Sequence, residues 1–217
     1  FQNSCLWNID FTNYMRHRDG RVVEMDTMHV DTGMRLEDLA CVVQGVSSVY
    51  ETDLFLPIIR KIEQVSRMKY NGRRGADPRG LDYSFRVVAD SMRFACAADM
   101  ECGLTTPPYV PFLVKKQAQR AVWHAAQVLK APRGFLEELV PVVAKSLGIS
   151  NEILVDTTGK SLGDHEERFW AFYDEEKRSR PSLWNDAEWF SKVVEKEVYA
   201  PSRRIKAINS IRSIVGL

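Results

Sequence analysis

A chain of 217 residues with 45% hydrophobic content is long enough for one large domain or two small ones, and it should bury a sizeable core. Its formal charge of +1, from 30 basic against 29 acidic residues, excludes a whole-chain field that would draw in nucleic acid or membrane, so such contacts must come from local patches. No apolar run approaches the roughly 20 residues of a membrane span.

From the N-terminus, Leu6 to Tyr14 alternates apolar and polar residues and predicts a half-buried strand. A turn follows at Arg18, Asp19 and Gly20. Val22 and Val23 begin a short return strand and Met28 to Asp31 a third, so the opening reads as a small antiparallel meander feeding a helix that starts near Arg35. Thr52 to Ile62 predicts an amphipathic helix capped by Thr52, with Pro57 near its first turn. Lys69 to Gly80 is a polar loop of glycines and basic residues without the G-x-x-x-x-G-K-[ST] of a phosphate-binding loop.

In the stretch Asp82 to Arg93 and beyond, Phe85, Val88, Met92 and Ala95 recur at the spacing of a packing helix. The next helix is expected from about Pro111 to Ala131. Between Thr105 and Arg133 lie Lys115, Lys116, Arg120, Lys130 and Arg133 and no acidic residue. Helical spacing puts Lys116, Arg120, Gln127 and Lys130 near one face, with Val114, Ala118, Ala121, Val122, Ala125 and Leu129 opposite, and Trp123 packed. A one-sided basic face suits RNA phosphates, while solvated surface charge is the plainer alternative. Gly134 to Gly148 predicts an apolar helix, Pro181 breaks the chain, and two helices follow. The last, Val198 to Leu217, has four basic residues and no acidic one, which suits a docking helix or a second RNA contact.

The four cysteines, Cys5, Cys41, Cys96 and Cys102, lack C-x-x-C spacing and the four histidines are isolated. This pattern points to buried, reduced thiols, with no metal or cofactor expected. The chain begins at Phe1 rather than methionine, which suggests a processed product, a fragment or part of something longer.

Three stretches carry a resemblance. Val30 to Leu39, V-D-T-G-M-R-L-E-D-L, matches eight of the ten positions of V-D-T-G-M-G-L-E-R-[LI]. Trp7, Asn8 and Phe11 fit a preceding W-N-x-x-F strand, and Tyr50 to Phe55 fits N-Y-[DE]-[TI]-D-L-F. Ser84 to Arg93 fits [AS]-x-R-V-[IL]-A-D-H-x-R with Ser91 for the histidine, and Pro111 to Trp123 follows a basic helix in which Gln119 and Trp123 replace two arginines. These motifs resemble the alanyl-tRNA synthetases, a class II family, over roughly Leu6 to Phe169.

The resemblance implies an α+β, mostly α-helical chain: a small antiparallel β remnant of a class II synthetase sheet, then a helical domain. The implied domains are 1–48, a catalytic-domain remnant; 49–178, a helical tRNA-recognition-like domain; and 179–217, a helical C-terminal extension. It also implies that Asn8, Asp31 and Gly33 descend from the alanine pocket, with Asp10 adding a second carboxylate. The plainer alternative is that Asn8 and Asp31 hydrogen-bond their own backbone in turns and caps.

Two departures stand at the implied ATP site. Arg35 replaces the family's second glycine, and Asp38 replaces the arginine that grips the ATP phosphates. Reversing that charge in a shielded site turns attraction into repulsion, so no catalytic residue is assigned. Thr106 to Tyr109, with two prolines, replaces the approach that reads the acceptor stem. The family's first two motifs lie upstream of anything in this chain, so the rest of the sheet is expected from another segment or another molecule.

The expected function is a catalytically inactive synthetase-like subunit of a larger ribonucleoprotein such as an organellar ribosome. Its expected partners are other subunits and rRNA or tRNA, through Lys115, Lys116, Arg120, Lys130 and Arg133. A mitochondrial location is favoured over a cytoplasmic one. The alternatives are a fragment of a divergent active alanine-tRNA ligase, or a protein-binding scaffold in a complex without RNA.

Overall fold

The computed structural model describes residues 6–73, 77, 80–101, 110–179, 181, 185–190 and 192. They fall into two compact units, one within 1–56 and one from 57 onward. The approach at 106–109 and the terminal helix expected at 198–217 lie outside the described residues.

The first unit opens with a hairpin of β1 (Trp7–Arg16) and β2 (Val22–Met34), paired antiparallel from Trp7 opposite Met34 to Arg16 opposite Val22. The second and third strands expected from the sequence are one long strand. Between the pairs Thr12–His29 and Tyr14–Glu24 the register shifts, so β2 carries extra residues there and bulges instead of breaking. The turn is where the sequence places it, with Gly20 at φ 90° and the Asp19 carboxylate taking the Arg21 backbone N–H at 3.0 Å.

A half-buried sheet is not what forms. Trp7 is 56% exposed, Phe11 65% and Val30 59%. Alternation decides which residues share a face; it does not decide whether that face is covered.

The chain then enters α1 (Leu36–Gln44), which ends at Gly45 with φ 65° and Val46 N–H on the Cys41 carbonyl at 3.1 Å. Thr52 does not cap the following helix. A 3-10 turn at Val49–Glu51 intervenes, the Thr52 hydroxyl donates back to the Val49 carbonyl, and α2 runs over Leu56–Ser66 with Pro57 in its first turn.

In the second unit α3 (Leu81–Met100) and α4 (Val110–Gln127) pack as a pair. All four apolar positions expected on α3 are buried, as are the six expected from Val114 to Leu129. Trp123 is also buried, with its ring centroid 6.1 Å from that of Trp189 and 6.3 Å from that of Tyr173. The α4 helix stops at Gln127, short of Ala131. Lys130 turns left-handed at φ 57°, which lets Ala131 N–H reach the Ala125 carbonyl at 3.0 Å.

Next come α5 (Phe135–Ser146) and the long α6 (Glu152–Ser179), then α7 (Asp186–Phe190). Asn151 caps α6 through its side-chain oxygen, which accepts Leu154 N–H at 3.1 Å. Gly159 and Gly163 lie within α6. Both face the Glu137 side chain of α5, and a Cβ at Gly159 would make an ordinary contact with Glu137 Cγ at 3.5 Å.

One carboxylate ties α6 to the start of α5. Glu166, 2% exposed, accepts Gly134 N–H at 2.7 Å, Leu136 N–H at 3.1 Å and the Trp170 indole N–H at 3.3 Å. It satisfies two backbone donors that the first turn of α5 cannot pair internally, and its charge complements the helix dipole. Removing it leaves three donors, two of them on the buried residues Leu136 and Trp170, without this acceptor. Glu166→Ala is expected to destabilise the fold by about 3 kcal/mol, against a smaller loss for Glu166→Gln, as measured by urea unfolding.

Candidate functional site

On the hairpin, the register of β1 and β2 sorts side chains by chemistry. Trp7, Ile9, Phe11, Val30, Thr32 and Met34 share the apolar face; Asn8, Asp10, Thr12, His29, Asp31 and Gly33 share the polar one. The three implied alanine-pocket residues are therefore brought together, with Asn8 directly opposite Gly33. Asp10 lies opposite Asp31, and like charges across strands repel. Asn8 Nδ2 donates to Asp10 Oδ2 at 2.8 Å, and Asp31 Oδ1 accepts Thr32 N–H at 2.8 Å. Neither Asn8 nor Asp31 sits in a turn. Nothing in the hairpin demands glycine at 33, since a Cβ there would touch Asn8 Oδ1 at an ordinary 3.7 Å.

The two substituted positions meet each other. Arg35 is the residue before α1, and its Nη2 lies 2.5 Å from Asp38 Oδ2. Asp38 and Glu37 occupy the first turn, where the helix dipole favours anions. An arginine at 38 would oppose that dipole; Asp38 agrees with it and binds the cation three residues before.

The five basic residues singled out around α4 do not form one surface. Lys115 and Lys130 are exposed, and Lys130 Nζ donates to the Gln127 carbonyl at 2.7 Å. Lys116 corrects the expected basic face: it is 5% exposed, with Nζ 5.7 Å from the centroid of the Phe112 ring. Helical spacing put it beside Arg120, but its aliphatic stem is drawn into packing.

Arg133 makes a bidentate pair with Asp174 at 2.7 and 2.9 Å and lies over Trp170 at 4.4 Å. Hydrogen bonding to Asp174 raises the pKa of the Arg133 guanidinium and lowers that of the Asp174 carboxyl. Arg120 Nη2 reaches the Tyr83 hydroxyl at 3.5 Å.

Sequence reasoning overlooked several polar anchors on α3. Ser91, standing for the family histidine, is buried and donates to Gln117 Oε1 at 3.0 Å, so it joins α3 to α4. The buried Asp82 carboxylate accepts Asn71 and Arg73 N–H at 2.8 and 2.9 Å, and Arg86 binds the Tyr70 hydroxyl at 3.1 Å, so the described start of the polar loop is anchored. Ser84 Oγ lies 3.0 Å from His124 Nδ1. An acidic residue just after a loop rich in backbone donors was the available signal for Asp82.

Cys41 and Cys96 are buried, and burial, with Asp99 nearby, pushes the Cys96 thiol up to about 12. Among the described residues no group of three or more His, Cys, Asp or Glu side chains could hold a metal, and no helix is long and apolar enough to cross a membrane.

The profile of the tRNA synthetases class II (A) matches residues 3–169, across both the hairpin motif and the helices. The chain belongs to this class II family. It is alanyl-tRNA synthetase-like, similar to the mitochondrial alanine-tRNA ligase of Rattus norvegicus at 44% identity over 162 residues, 72% of this chain and 16% of that protein. It is 34% identical over 181 residues to the mitochondrial alanine-tRNA ligase of Caenorhabditis elegans, 82% of this chain and 22% of that protein. With the alanine-tRNA ligase of Listeria innocua it shares 32% identity over 169 residues, 76% of this chain and 18% of that protein. The synthetase-like chain thus spans about a sixth to a fifth of the length of these relatives.

His124 supplies a pH test of the helical unit. Burial chiefly, and Arg120 secondarily, lower its pKa from 6.5 to about 4. Between those values the unfolded chain takes a proton that the folded one refuses, so stability present above pH 6.5 is lost as pH falls. The expected loss from this group is about 3 kcal/mol between pH 6.5 and 4, read by urea unfolding at each pH, and His124→Gln is expected to flatten the profile.

Proposed function

We propose that this protein is a synthetase-like chain that does not activate alanine and instead serves as a structural, RNA-contacting subunit of a larger ribonucleoprotein, an organellar ribosome in the mitochondrial matrix. The observation that carries the reading is Asp38. It stands where the family resemblance implies a phosphate-gripping arginine, and it is paired with Arg35, the other departure. A carboxylate there repels a triphosphate. It also suits the first turn of α1, so the position favours helix stability over anion binding.

Two further features support the subunit role. The apolar face of the hairpin, from Trp7 and Phe11 to Val30 and Met34, is exposed on a two-stranded sheet that needs further cover to be stable. Exposed Lys115 and Lys130 on and after α4, a helix without acidic residues, suit an RNA backbone. The mitochondrial relatives support the location.

A second reading, part of a divergent active alanine-tRNA ligase, is favoured by one observation: Asn8, Asp31 and Gly33 still share one face, and the fold alone does not require that glycine. Alanine-dependent exchange of pyrophosphate into ATP by the intact native protein separates the two. No exchange is expected; measurable adenylate formation would establish the second reading. Lys115→Glu with Lys130→Glu is expected to weaken RNA association and lower its salt slope by about two, one for each phosphate contact. An unchanged slope would leave a protein scaffold as the better account.

A further inference from the structure

Where α3 and α4 meet, an exposed aromatic ring is built into a polar frame that the packing of the helices does not use. Tyr83, in the first turn of α3, is 52% exposed. Its backbone N–H is held by Asp77 Oδ2 at 3.0 Å, its hydroxyl by Arg120 Nη2 at 3.5 Å, and its ring by the edge of His124 at a centroid distance of 5.6 Å. Ser84 at 3.0 Å fixes the imidazole in turn. The ring is therefore positioned from one side with much of its surface left in solvent.

The charge at the hydroxyl end comes from Arg120, while the Asp77 carboxylate sits at the backbone end. One of the five donors of Arg120 goes to Tyr83, and α4 carries no acidic residue. The nearest carboxylates on the α3 side, Asp77 and Asp82, are engaged by backbone N–H groups. His124 is neutral near pH 7 and backs the ring as an aromatic rather than as a cation.

We propose that Tyr83 and Arg120 form a stacking site for an unpaired nucleobase of single-stranded RNA, the base lying on the exposed tyrosine ring and its adjacent phosphate on the guanidinium. A positioned aromatic beside an arginine is how proteins hold splayed bases, and it needs a π-face and a phosphate rather than a particular base. This deepens the RNA-contacting reading above and rests on it. It replaces an evenly basic helix face with one discrete site.

The test uses the intact protein with three fluorescently labelled probes: a single-stranded RNA, the same strand made abasic, and an RNA duplex of equal length. Tyr83→Ala is expected to weaken single-strand binding about tenfold while leaving duplex and abasic binding unchanged, and Tyr83→Phe to keep most of the affinity. Arg120→Gln is expected to weaken both single-stranded probes and lower the salt slope by about one. Unchanged thermal stability of Tyr83→Ala confirms that the fold survives. Equal binding by Tyr83→Ala and the unsubstituted protein, or an equal loss on all three probes, would overturn the stacking site while leaving RNA contact intact. If no probe binds the unsubstituted protein, the RNA-contacting reading itself fails.

Discussion

The seating of α5 on α6 depends on one buried carboxylate, Glu166. Glu166 reaches from the middle of α6 to the first backbone N–H groups of α5 and to the indole of Trp170. One and two turns on, Trp170 receives the Arg133 guanidinium on its face and Asp174 grips it bidentately. Three residues at intervals of four, all on α6, thus fix where α5 begins. The energy follows from burial: a carboxylate removed from water must be met by donors, and a helix N-terminus offers backbone donors that nothing else satisfies.

From that anchor the rest of the unit is packing. The α6 side chains Phe169 and Tyr173 stack among Trp123 of α4 and Trp189 of α7, so the same helix that holds α5 by polar contacts holds α4 and α7 by aromatic ones. The α4 helix in turn joins α3 through Ser91 with Gln117 and Ser84 with His124. The hairpin unit is built differently. Its strands carry cross-strand pairs and a well-made turn, but its apolar face is open, and at its turn into α1 Arg35 pairs with Asp38.

That contrast bears on function. A helical unit with a closed core can present side chains rigidly, as it does Tyr83, whereas a hairpin with an open apolar face is suited to being completed by other polypeptide. Asn8, Asp31 and Gly33 share the polar face of the hairpin, and Arg35 and Asp38 meet at the turn into α1, so the positions that bear on activity lie in this unit, since sites and not folds carry activity.

Much was legible beforehand because it is periodic or local. The core positions of α3 and α4 follow from helical spacing, the hairpin turn from Asp19 and Gly20, and the family from runs such as V-D-T-G-M. The sequence by itself therefore determined the family, which residues of the hairpin share a face, and the apolar faces of α3 and α4. Only the tertiary structure decided whether each face is covered and by what. It opened the hairpin to solvent, drew Lys116 into the core, gave Arg133 to Asp174 and set Arg35 against Asp38. The physical reason is that spacing fixes direction along one element, while burial and charge pairing depend on what a distant part of the chain, or a neighbouring turn, places opposite.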